Sequence, residues 1–181
     1  MTLREYFSKM KGGANSPPGV GVSELLWSWT GSLIGIMICA YMSAKYFEPL
    51  DMTLLIGSFG ATAVLLYAAI KSPLAQPRNL VGGHIISGLI GVGCQQIFGD
   101  VPWLAASMAV SLAIAAMLLT KTLHPPGGAT ALIAVVGGAK VHNLGFIYAF
   151  FPAGTGALIL LIVALIVNNL SKSRKYPEYW F

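Results

Sequence analysis

No charged side chain occurs from Leu25 to Ala44, and the same holds for Met52–Ile70, Leu80–Phe98, Val101–Thr120 and Leu144–Val167. A helix needs about 20 apolar residues to cross the hydrocarbon of a bilayer, and most of these runs have that length. Only 9% of the chain is charged and its mean hydropathy is +0.73, whereas soluble domains carry about a quarter charged residues. Lipid offers backbone N–H and C=O groups no partner, so segments of this kind must be helices. An all-α integral membrane protein is expected. The net charge of +5 is not gathered on a basic face with interleaved aromatics, so no nucleic-acid partner is implied.

The residues between and within the runs give the order. Trp27 and Trp29 stand at the start of the first run, as interfacial anchors do, and Gly31 and Gly35 permit a close helix contact. After the linker Lys45–Asp51, the run Met52–Ile70 is interrupted by Gly57-Ser58-Phe59-Gly60 and predicts a broken helix. Lys71–Asn79 reads as a polar loop, with Asn79 as N-cap of the small-residue-rich run Leu80–Phe98. His84 lies near the start of that run and is expected at the interface. Asp100 and Pro102 mark the next helix start, and Val101–Thr120 leads into Lys121-Thr122-Leu123-His124-Pro125-Pro126-Gly127-Gly128-Ala129-Thr130. Two prolines predict extended chain there, with a short helix from Gly127 or Gly128 to about Val136. Asn143 is expected to cap Leu144–Val167 and Pro152 to kink it. Tyr148, Phe150 and Phe151 read as packing or pathway-lining aromatics.

Gly60-Ala61-Thr62-Ala63 recurs as Gly128-Ala129-Thr130-Ala131, a separation of 128 − 60 = 68, and Asn79-Leu80 recurs as Asn143-Leu144 at 143 − 79 = 64. Each copy has the order long span, broken segment, polar loop, long span, which predicts two repeats, 24–98 and 101–168. They are flanked by a segment 1–23, with no signal peptide, and a tail 169–181. If every segment crosses and the N-terminus is cytoplasmic, nine Lys and Arg residues lie inside and two outside. Re-entrant broken segments would make the division 6 against 5. The expectation is therefore six crossings, two of them short broken helices, in two inverted three-segment repeats with both termini cytoplasmic.

Inverted repeats bring the two Gly-Ala-Thr helix starts, with their positive dipole ends, toward one volume. Ser58, Gly60, Ala61, Thr62, Gly127, Gly128, Ala129 and Thr130 are thus candidates to bind a small monovalent anion through backbone N–H groups and hydroxyls. The same small residues also suit helix packing alone. His124, ionisable and within the membrane stretch, is a candidate for proton coupling or gating; its other reading is a cap at the end of the fourth helix. Lys121 is a second gating candidate or simply marks the cytoplasmic boundary, and His142 is expected in solvent. No catalytic constellation, phosphate loop or metal-ligand spacing appears, and Cys39 and Cys94 fall inside apolar runs. Neither an enzyme nor a cofactor is expected.

His124-Pro125-Pro126 followed by Gly-Gly-Ala-Thr resembles the signature of the HPP family of integral membrane proteins, over about Glu24–Asn168. Some members of that family are nitrite transporters, and some are described as having four transmembrane helices. The resemblance implies nitrite as the anion and the bilayer as the setting, with the bacterial plasma membrane the expected location. Many bacterial relatives carry a C-terminal nucleotide-sensing domain; a chain that stops at Phe181 would need a separate partner for such regulation. A protomer of 181 residues is expected to form a homo-oligomer, a dimer first. The rival function is a non-transporting membrane scaffold or sensor subunit.

Overall fold

The computed structural model describes residues 1–181, and every regular element in it is helical. In chain order these are α1 (Leu3–Ser8), α2 (Val22–Met42), α3 (Ser58–Ala68), α4 (Pro77–Phe98), α5 (Pro102–Leu119), α6 (Pro125–Val136), α7 (Gly138–His142) and α8 (Thr155–Leu170). The end of α2 is extended by a π turn, Ser43–Phe47, and a 3-10 turn, Glu48–Leu50; a π turn at Ala149–Gly154 precedes α8. Four stretches are long and apolar enough to cross a membrane: Val22–Leu50, Pro77–Phe98, Pro102–Leu119 and Ala149–Leu170. The short apolar helices α3 and α6 have 11 and 12 residues. At 1.5 Å per residue each is under about 20 Å long.

Helix starts differ from the sequence expectation because proline favours the first turn. Pro125 and Pro126 are themselves the first residues of α6, and the extended chain ends at His124 (φ −141°, ψ 105°). Proline's φ is already helical, and its missing N–H falls where a helix has no intrahelical acceptor for it. Pro77 likewise starts α4, so Asn79 lies inside the first turn rather than capping it. Its amide donates instead to Leu123 O at 2.9 Å, tying α4 to the extended stretch before α6. Asn143 closes α7 rather than opening α8, and Val101, not Asp100, precedes α5. Pro152 does break the last run: Phe151 is extended (φ −134°, ψ 123°) before α8 begins.

Both short helices follow a left-handed reversal. Asp51 (φ 57°) ends the extension of α2, and Lys121 (φ 57°) ends α5. At Lys121 the Thr122 N–H returns to Met117 O and the Lys121 N–H to Leu118 O, so the last carbonyls of α5 are satisfied.

Helix α4 packs against α5 and α6, while α2 packs against α3 and α8; α3 meets α6 between the two groups. One end of the bundle gathers the starts of α2 and α4 and the ends of α3, α5 and α8. Arg78 there donates to Thr120 O, and Arg174 reaches Glu24, Ser28, Asn168 and Tyr67 O. At the other end Lys140, after α6, pairs with Asp51, before α3, at 2.6 Å.

Candidate functional site

Ser58, Thr62, His84, His124 and Thr130 each have 0% exposure. They meet where α3 crosses α6, against α4. Helices α3 and α6 run antiparallel past one another, so the head of each lies beside the second turn of the other. Ser58, heading α3, is 2.9 Å from Thr130 Oγ1; His124, preceding α6, has Nε2 3.2 Å from Thr62 Oγ1. His84 of α4 stands between the two threonines, with Nε2 2.9 Å from Thr62 Oγ1 and Nδ1 2.7 Å from Thr130 Oγ1. The imidazoles of His84 and His124 lie edge to face at 5.1 Å, and the Phe59 ring is edge-on to His84 at 5.6 Å. Tyr148 donates to Thr130 O at 3.0 Å, and His124 Nδ1 is 2.8 Å from Leu74 O. Every buried side-chain nitrogen and oxygen in the protein has a hydrogen-bond partner.

The sequence candidates separate into two sets. Ser58, Thr62, Thr130 and His124 come together at the crossing. Gly60 and Ala61 are exposed, and Gly128 and Ala129 are half-buried. Gly60 lines an open apolar groove of about 610 Å³ with Leu33, Met37 and Val64. Gly128 and Ala129 line a second, of about 520 Å³, with Val110, Ile114 and Leu132. Backbone donors at the helix heads are partly taken. The Gly60 N–H bonds to Gly57 O and that of Gly127 to His124 O, while Pro125 and Pro126 have none. Gly127 is buried for a steric reason, since a Cβ there would lie 2.7 Å from Ser87 Oγ and 2.9 Å from Met117 Sδ. Lys121 is exposed, and His142 is exposed with Nε2 2.9 Å from Val135 O.

His84 is the residue that sequence reasoning misplaced. It is in the second turn of α4, near one end as expected, but on the face that carries Leu80, Gly83, Ser87, Gly88 and Gly91, all buried. That helical spacing of small residues signals a contact face, and His84 shares it. A second signal is the 64-residue offset, which pairs His84 with Tyr148 (148 − 84 = 64); both are fully buried and both reach Thr130.

The loop that holds His124 is itself held by the C-terminal tail. Tyr179 donates to Pro73 O and Tyr176 to Ala75 O, on either side of Leu74, and the Glu178 N–H bonds to Gln76 Oε1. Asn169 anchors Tyr176 through two backbone bonds. The buried Arg174 fixes the tail's root between Glu24 and Asn168.

The transmembrane region that defines the HPP family matches residues 17–177. The chain belongs to the HPP family. Two transmembrane proteins of Dictyostelium discoideum are similar to it, one 46% identical over 98% of this chain and the other 43% identical over 100%. The chain spans 58% and 65% of their respective lengths. No solved structure matches it. An integral membrane protein is thereby established. With both relatives from Dictyostelium, the comparisons give the expected bacterial plasma membrane no support.

Proposed function

We propose that this HPP protein is a transporter or channel for a small monovalent inorganic anion, nitrite first, with its site at the crossing of α3 and α6. The observation that carries the reading is the convergence of five fully buried polar side chains inside an apolar bundle. Polar groups are costly at membrane depth and are kept there mainly for function. Hydroxyls and imidazole N–H groups are hydrogen-bond donors without a fixed charge. Ser58, Thr62 and Thr130 offer such donors to an anion, and a site without full charges releases its ion readily. In the described arrangement these groups bond to one another. Anion entry exchanges those bonds for bonds to the ion, which requires α3 and α6 to part.

On this reading the chain makes six crossings in two inverted repeats. The packing of α4 on α5–α6 and of α8 on α2–α3 is what repeats that exchange their third segments produce. The paired reversals at Asp51 and Lys121 support it further, and Lys and Arg positions favour cytoplasmic termini.

The test is nitrite uptake into proteoliposomes at pH about 8, where little nitrite is present as the permeant acid. Wild type is expected to exceed protein-free vesicles, and the double variant Thr62→Val, Thr130→Val, which keeps shape but loses both hydroxyls, to lose at least about tenfold while eluting as wild type does. Wild-type flux equal to that of protein-free vesicles for nitrite, nitrate and formate would overturn the reading in favour of a scaffold.

A further inference from the structure

A neutral imidazole has one donor and one acceptor nitrogen, and a hydroxyl has one proton. Those two rules, read outward from Leu74 O, give one consistent set of proton positions around the crossing. Leu74 O only accepts, so His124 Nδ1, 2.8 Å away, carries the proton and Nε2 is bare. Thr62 Oγ1 therefore donates to His124 Nε2. Its one proton being used, Thr62 accepts from His84 Nε2. His84 Nδ1 is then bare and accepts from Thr130 at 2.7 Å. The Thr130 hydroxyl also has Ser58 Oγ as an acceptor at 2.9 Å, so its one proton has two acceptors to choose between. With the Thr130 proton turned to His84, every donor from Thr130 to Leu74 points the same way, and one backbone carbonyl sets them all.

We propose that Thr130, His84, Thr62 and His124 form a proton relay, with His84 its indispensable middle member and Ser58 Oγ an acceptor at its head. A proton delivered to Thr130 Oγ1 from the side of Ser58 pushes Thr130's own proton to His84 Nδ1, the His84 Nε2 proton to Thr62, and Thr62's to His124 Nε2. Each O–H or N–H broken is matched by one formed. The single added proton ends on His124 as imidazolium, from which the Nδ1 proton leaves beside Leu74.

The imidazolium needs no new partner. Thr62 turns its hydroxyl to Ser58 O, 3.2 Å away, and accepts from His124 Nε2. Thr130 has the same alternative one turn back, Pro126 O at 3.2 Å. The relay is also oriented across the bundle. Ser58 follows Met52–Gly57, which comes from the end holding Asp51 and Lys140, and Gly57 is exposed. Leu74 is half-buried in the loop at the opposite end. The titratable group touching His124 is His84, from α4; Tyr148 reaches the relay only through Thr130 O.

The relay rests on the transport reading only for what the proton accompanies. Its test is proton uptake into proteoliposomes holding a trapped pH dye, driven by a valinomycin potassium potential, with and without external nitrite. Wild type is expected to exceed protein-free vesicles at least tenfold, and His84→Gln to fall to the protein-free rate. The amide keeps a donor and an acceptor for the two threonines, but it does not pass a proton on. Wild-type uptake in His84→Gln, or no uptake by wild type, overturns the relay. Proton uptake that ignores nitrite supports the relay and tells against the anion; nitrite flux without protons does the reverse. Should His84→Gln fail to fold, solid-state NMR of wild type labelled with 15N-histidine decides. Protons on His124 Nδ1 and His84 Nε2 are expected, and the opposite pattern overturns the assignment.

Discussion

Helices α3 and α6 carry the same Gly-Ala-Thr but are held in place by opposite means. Aromatic rings set into glycine notches hold α3. A Cβ at Gly156 of α8 would lie 2.0 Å from Phe59 Cζ, and one at Gly31 of α2 would lie 2.5 Å from Tyr67 Cδ1. Tyr67 also donates to Leu160 O. In α6, backbone lies on backbone. A Cβ at Gly91 of α4 would lie 2.6 Å from Ala131 O and 2.8 Å from Ala131 Cα. Small residues allow the second kind of contact, and large rings filling small-residue gaps make the first. The difference matters at the site, because His84 rides on α4. Relative to His84, Thr130 is fixed by rigid main chain, whereas Thr62 is fixed by side chains that have rotamers to change. On the proposed reading, in which the two short helices part to admit an anion, that movement falls to α3.

The largest expected effect is at the main-chain contact. Gly91→Leu forces α4 off Ala131, where no flexible side-chain end can move aside, and monodisperse protein should not be recovered from membranes. Recovery of a folded Gly91→Leu variant would mean that α6 is held no more tightly than α3. Next is Phe59→Ala, which empties the Gly156 notch. It should cost about 3–5 kcal/mol, read as a lower thermal midpoint in detergent. Phe59→Leu combined with Gly156→Ala should recover part of that loss if ring and notch act as a pair. Gly60→Ala and Gly128→Ala face the two grooves, with nothing within 4 Å at Gly60 and only Val110 Cγ1 at 3.9 Å at Gly128. Each should raise stability by up to about 1 kcal/mol through helix propensity, and equally if the two outer faces are alike. A loss at one position alone would place an unseen contact there.

The smallest effect is at Lys140–Asp51, which links the residue before α3's approach to the helix after α6. The hydrogen bond that Lys140 donates to Asp51, and then the carboxylate's charge, raise the Lys140 pKa above its ordinary 10.5. A raised folded-state pKa makes the tie complete below the unfolded value and lost as pH climbs through the folded one. The midpoint difference between wild type and Lys140→Met should thus be flat from about pH 7 to about pH 10 and vanish above that. Both groups are exposed, so it should also shrink in high salt.

Much of the fold is legible in the sequence. The four long spans, the breaks at Gly57 and at His124-Pro125-Pro126, and the kink at Pro152 all follow from local properties: uncharged length, absent N–H groups, fixed φ. The helix starts are less legible, because two prolines open a helix as readily as they bar one, and Pro77 and Asn79 both suit the head of α4. At the site, Thr62, Thr130 and His124 were visible because a motif marked them. The outward Gly60 and Ala61 were marked by the same motif, which does not say which side of the helix meets a partner.

What the sequence determines by itself is that this chain lives in a membrane, that two of its segments are broken, and that both are built on Gly-Ala-Thr. Those are statements about hydropathy and backbone freedom, which each residue carries with it. Tertiary structure decides that His84 is buried between two threonines 22 residues before it and 46 after it, and that a loop carbonyl comes within 2.8 Å of His124 beside it. Tertiary structure likewise makes Arg174 an internal tie between α2 and α8 rather than a surface charge. Burial and tautomer depend on which helix faces meet, and that meeting is fixed by contacts between residues far apart in the chain.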